Sequence, residues 1–80
     1  MSAIEIEERI TRARKLLDQG DEKSAARELT DAVVLCRDPA QAVEIRQLAD
    51  RGIDMAGRFG KSRWKEVQRL ADVHGAASIT

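Results

Sequence analysis

Apolar residues recur at helical spacing along most of the chain. Ala3, Ile6, Ile10, Ala13 and Leu17 are spaced three, four, three and four apart, with Ile4 and Leu16 widening the stripe. That period predicts one amphipathic helix over about 4–19. Ser2 suits its N-cap, Glu5, Glu7 and Glu8 sit where the helix dipole favours anions, and Arg14 and Lys15 where it favours cations. Gly20 is the expected stop, at a left-handed position that only glycine adopts cheaply. Asp21 caps a second helix over about 22–37, whose apolar set is Ala25, Leu29, Ala32, Val33 and Cys36, with Ala26 and Leu35 flanking. Two residues between the helices predict a tight antiparallel hairpin.

Asp38-Pro39 is the sharpest local signal. Proline at the first helical position loses no hydrogen bond, because that position has no intrahelical acceptor. Asp38 caps, and Gln41 is placed to reach back as in a capping box. The third helix is expected over about 39–59, with Ile45, Leu48, Ala49, Gly52, Met55, Ala56 and Phe59 on one face and Val43 and Ile53 to the side. Gly52 costs roughly 1 kcal/mol against alanine in a helix interior. With Ala49 and Ala56 it forms a shallow groove for close approach of another helix. Gly60 should end this helix and Ser62 cap a fourth over about 63–74. Trp64, Val67, Ala71 and His74 recur there, with Leu70 beside them. Gly75 reads as the stop, and 75–80 as a frayed tail. No strand alternation appears, so the fold class is all-α: two antiparallel helical hairpins forming one small four-helix array over 1–80.

The first hairpin carries a further spacing. Ala13, Leu16, Gly20-Asp21, Ala25, Leu29 and Ala32, followed by Asp38-Pro39, resemble one tetratricopeptide-type helix pair over Arg9 to Pro39. Small residues let two antiparallel helices cross closely, and large ones fill the gap beside them. The resemblance implies a protein-binding scaffold. It carries over no particular binding residue, because that family reads its ligands through variable groove positions.

Composition narrows the class. The chain has 80 residues, 14 basic and 14 acidic, with 42% hydrophobic and 35% charged residues. This is too apolar for a disordered tail and too charged for a membrane protein. No apolar run approaches the ~20 residues of a bilayer span, and the acidic start, Met1 to Glu8, has no signal-like apolar core. The reading is a cytoplasmic protein. Arginine outnumbers lysine ten to four, alanine occurs twelve times, and asparagine and tyrosine are absent. Such usage is common in GC-rich bacteria and their phages. A domain this small buries only about 60–65% of its unfolded surface, so docking on a second copy or a partner would add stability.

No catalytic constellation is visible, and no cofactor or metal is expected. Gly60-Lys61-Ser62 resembles the end of a phosphate-binding loop, but Met55 stands where that motif needs its first glycine. His74 and Cys36 lack ligand spacing and read as a helix-end histidine and a buried small hydrophobe. Glu5 with Arg9, Glu8 with Arg12, Arg27 with Asp31 and Glu66 with Arg69 have the spacing of surface ion pairs. The one regional asymmetry spans 57–69. There Arg58, Lys61, Arg63, Lys65 and Arg69 face only Glu66, with Phe59 and Trp64 interleaved. Trp64 reads as core, continued by Val67 and Ala71, or as an interface anchor beside the cations. The expected function is a non-catalytic protein–protein interaction module, self-associating or docking a partner. Its contact surfaces would be the basic segment with Trp64 and the small-residue face Ala49, Gly52 and Ala56. The alternative is a small nucleic-acid-associated regulator using the same basic segment. A net charge of zero, and a third helix whose first residues carry no cation, speak against that alternative.

Overall fold

A computed structural model describes residues 2–58 and 60–79, with side chains described through Val73. Four helices follow in order: α1 (Ala3–Asp18), α2 (Glu22–Leu35), α3 (Pro39–Met55) and α4 (Lys61–Ile79). No strand occurs among the described residues. Three caps form where short polar side chains precede a helical run. Ser2 Oγ accepts from the Glu5 amide at 3.3 Å, Asp21 Oδ1 from the Ser24 amide at 3.2 Å, and Asp38 Oδ1 from the Ala40 amide at 3.0 Å. Each satisfies a donor that the first turn leaves without a backbone acceptor. Gly20 takes φ +83°, the Asp21 amide donates to the Leu16 carbonyl at 2.8 Å, and the Gly20 amide donates to Leu17 at 3.0 Å. These paired bonds close α1 and turn the chain straight into α2.

The two hairpins stack. α1 lies beside α3, α2 beside α4, and α2 also touches α3, while α1 and α4 share no contact among the described residues. The inter-hairpin bonds set the directions. Gln41 at the start of α3 meets Ala3 and Glu7 at the start of α1, and Arg51 near the end of α3 reaches Asp18 at the end of α1, 2.8 Å away. Arg63 and Trp64 at the start of α4 meet Glu22 at the start of α2. Thus α1 and α3 run in parallel, as do α2 and α4. The core between them holds Ile6, Ile10, Ala13, Leu17, Leu29, Val33, Ile45, Leu48, Trp64, Val67 and their small neighbours, all buried.

Trp64 is the largest side chain in this core and is fully buried. Its indole lies flat against Gly52 of α3: a Cβ built on Gly52 would fall onto Cε2, Cδ2 and Cζ2 of the ring. The groove expected at Ala49, Gly52 and Ala56 is therefore filled from within the chain, and all three residues are buried. The indole N–H does not remain orphaned. It donates to Glu22 Oε2 at 2.7 Å, which joins α4 to the first turn of α2.

Several boundaries differ from the sequence expectation. α2 ends at Leu35 rather than Arg37, because Cys36 and Asp38 adopt extended backbone before Pro39. α3 ends at Met55, not Phe59; Ala56 is extended (φ −69°, ψ 139°). Seating Trp64 on Gly52 requires the chain to reverse within five residues, 56–60. A Cβ on Gly60 would come within 2.9 Å of the Ala56 Cβ, so close approach rather than a left-handed turn explains this glycine. Phe59 lies outside the described residues. α4 begins at Lys61, which places Ser62 inside the helix rather than at its cap, and it continues through Gly75 to Ile79 where a stop and a frayed tail were expected. An isolated glycine costs about 1 kcal/mol in a helix without forbidding it.

Polar contacts across the helices also depart from the i, i+4 pattern. Arg9 and Arg12 both bond Glu28 of α2 at 3.2 Å, and Arg9 also lies 3.6 Å from Asp31; they do not pair with Glu5 and Glu8. Arg14 approaches Glu44 of α3 at 3.5 Å, and Arg46 pairs with Asp72 of α4. Of the four expected pairs, Glu66–Arg69 forms. The Arg69 guanidinium holds the Glu66 carboxyl below its ordinary range. Gln41, expected to reach back to its own cap, is buried and instead donates to the Ala3 carbonyl at 2.9 Å.

The Gly52 contact can be tested by substitution. Gly52→Ala should destabilise the domain by about 2 kcal/mol, because overpacking against a rigid buried ring outweighs the helix-propensity gain. Gly57→Ala, whose Cβ would meet nothing within 4 Å, should stay within about 0.5 kcal/mol of the parent. Urea denaturation of the two variants measures both.

Candidate functional site

Five cations of the basic segment are on the surface: Arg58, Lys61, Arg63, Lys65 and Arg69 are all exposed. Trp64 is not. Its burial against Gly52 removes the interleaved aromatic from this surface, so the interface-anchor reading of Trp64 gives way to the core reading. Arg63 lies 3.5 Å from Glu22, and Arg69 is held by Glu66. Arg58, Lys61 and Lys65 have no ion-pair partner among the described residues.

The parallel packing of α2 and α4 adds cations that the sequence window did not include. Lys23 and Arg27, one turn apart on α2, lie across from Arg63. With Ala26, Thr30 and Asp31 they line a surface depression of about 320 Å³. Asp31 is already within reach of Arg9. Lys23 and Arg27 have no acidic partner among the described residues. The position of the α4 cations is itself informative. Lys61 and Arg63 occupy the first turn of a helix, where no acidic residue stands and the helix dipole repels positive charge. Lys65 follows one turn later. Arg63 offsets this by its pair with Glu22, whereas Lys61 and Lys65 have no such partner among the described residues.

Charge divides along the molecule. When the helices are cut at their midpoints, the half containing the α1–α2 turn and the 56–60 loop (residues 11–28 and 48–70) carries eleven basic and seven acidic side chains. The other half (residues 2–10, 29–47 and 71–79) carries three basic and seven acidic. A chain of zero net charge is therefore about +4 at one end and −4 at the other. Among the described residues, five exposed large hydrophobics, Ile4, Val34, Leu35, Val43 and Val73, belong to the acidic half, and Met55 alone to the basic half. A depression of about 340 Å³ in the acidic half is lined by Ala3, Ile6, Leu35, Arg37, Asp38 and Gln41.

Other chemistry-bearing residues sit apart from this surface. Cys36 is buried, its Sγ 3.3 Å from the Asp38 carbonyl oxygen, and burial raises its thiol pKa above the ordinary value. A neutral, enclosed thiol is a poor nucleophile. Among the described residues no cluster of His, Cys, Asp and Glu has metal-binding geometry. The His74 side chain lies outside the described residues. No described helix is long and apolar enough to cross a membrane.

The Cys36 environment yields a pH prediction. The folded protein holds this thiol proton more tightly than the unfolded chain does. The group's contribution to stability is therefore complete below its ordinary pKa of 9.0 and declines as pH rises through the raised value. Melting temperatures should fall at alkaline pH more steeply for the parent than for Cys36→Ala, and alkylation of the native thiol should be slow until urea opens the domain. Comparison with family models, with curated proteins and with solved structures finds no match to this chain.

Proposed function

We propose that this chain is a non-catalytic protein–protein interaction module, in which the basic surface built by α2 and the start of α4 docks an acidic surface of a protein partner. The observation that carries the reading is the gathering of cations at one end of the molecule: Lys23 and Arg27 line a depression with Arg63, while Lys61 and Lys65, exposed and without an ion-pair partner among the described residues, stand in the first two turns of α4 against their own helix dipole. Stacked hairpins with α1 beside α3 and α2 beside α4 are the arrangement used by helical-repeat scaffolds. The tetratricopeptide-like reading of the first hairpin, which rests on its residue spacing, is part of this proposal. A cytoplasmic setting belongs to the same proposal, since the one cysteine is a buried free thiol suited to a reducing compartment.

A protein partner is favoured over nucleic acid for two reasons. Glu22 and Asp31 are interspersed among the cations, so the surface is not uniformly positive. The acidic half of the same molecule would also repel a long polyanion, whereas a compact acidic protein surface meets only the basic half.

A binding titration separates the two. A glutamate-rich helical peptide should bind at low salt and retain measurable affinity near physiological salt. Joint replacement of Lys23, Arg27, Lys61 and Lys65 by alanine should weaken it at least tenfold, about 1.4 kcal/mol. Failure of the peptide to bind at low salt, or tighter and steeply salt-dependent binding of a duplex oligonucleotide, overturns the proposal in favour of the nucleic-acid reading.

A further inference from the structure

We infer that the acidic partner of the basic surface is a second copy of this chain, docked antiparallel so that the basic half of each protomer lies against the acidic, apolar half of the other. This inference rests on the interaction-module reading and names its partner.

Three observations lead to it. The first is charge complementarity. A protein of zero net charge that carries about +4 on one half and −4 on the other is electrically complementary to itself end to end or, side by side, only when reversed along its length. A parallel pairing sets like charges side by side and is repelled.

The second is where the apolar surface lies. Ile4 is 72% exposed and Val43 55%, with Val34, Leu35 and Val73 also open, and all belong to the acidic half. Among its described residues the basic half exposes one large apolar side chain, Met55, but many long basic ones. The aliphatic stems of lysine and arginine cover apolar surface while their charged heads reach carboxylates beside it. Glu5 and Glu8, exposed within a turn of Ile4, stand where such heads would arrive. The two halves thus match in both components, grease under stem and carboxylate under cation.

The third is area. The molecule measures 35 × 21 × 15 Å. An end-on contact offers about 300 Å² per copy, whereas a broad side offers about 700 Å², close to the ~800 Å² per partner of a standard interface. The side-by-side antiparallel arrangement also closes: each complementary contact occurs twice about a twofold axis, and no sticky end remains to propagate a fibre.

Charge reversal tests this directly. In Lys23→Glu/Lys61→Glu/Lys65→Glu both halves become acidic. In Glu5→Lys/Glu8→Lys the acidic half loses its sign. The parent should sediment as a dimer at low salt and dissociate as salt is added. Each variant alone, checked as helical by circular dichroism, should shift towards monomer, and an equimolar mixture of the two should recover part of the dimer mass, because one of its two contacts still sets the intact acidic half against the intact basic half. A parent that stays monomeric at about 100 μM and low salt, or a dimer indifferent to both salt and the reversals, overturns the inference. Glutamate-rich peptide binding by the same monomer would leave the interaction-module proposal standing, so the two failures are distinguishable.

Discussion

The contact between the Trp64 indole and Gly52 is the constraint on which the arrangement of this domain depends. A ring lying flat on a helix needs a position with no side chain, and Gly52 is the one residue of α3 that provides it. The close approach brings α4 down onto α3 and buries the largest apolar surface in the chain. It also orients the ring so that its N–H reaches Glu22 across the hairpin boundary. One side chain therefore ties together three of the four helices. The helix-propensity penalty of an interior glycine, about 1 kcal/mol, is small beside the burial of a tryptophan.

From this contact the surface follows. Because Trp64 and Glu22 both stand in the first turn or two of their helices, the bond between them forces α2 and α4 to start at the same end. Lys23 and Arg27 then lie across from Arg63, so cations of two distant sequence segments line one depression. The carboxylates of the α1 start, the α2 end and the α3 start gather at the opposite end for the same reason. A neutral composition thus becomes a polar molecule through packing alone. Ion pairs follow the packing as well: Arg9 and Arg12 turn away from the nearest glutamates of their own helix to share Glu28 of the next one, which is only 20% exposed. A less hydrated carboxylate gives the stronger pair.

Features governed by local chemistry were legible in the amino-acid order. The Gly20-Asp21 turn, the Asp38-Pro39 start and the four apolar faces depend on backbone preference and on a 3.6-residue period, and both act within a few residues. The spacing of Trp64, Val67 and Ala71 offered the core as one of two readings for the tryptophan, and its burial selects that one. What could not be read depends on how the hairpins stack. The apolar positions Met55 and Ala56 continue the α3 period, yet the helix stops at Met55 because the chain must turn back to lay Trp64 on Gly52. Gln41 has the spacing of a local cap, but the parallel packing of α1 and α3 presents it with the Ala3 carbonyl, a bond across 38 residues. The basic surface was half visible. The 57–69 run stood out, while Lys23 and Arg27 join it only through the α2–α4 alignment.

The central claim is that the Trp64 seat makes the two hairpins a single cooperative unit. Native-state hydrogen exchange tests it most directly. The account predicts that the amides of Ile10, Leu29, Ile45 and Val67, one from the core of each helix, exchange through the same opening with one common free energy. Exchange of the α3 and α4 amides at a lower free energy, while α1 and α2 remain protected, would contradict it.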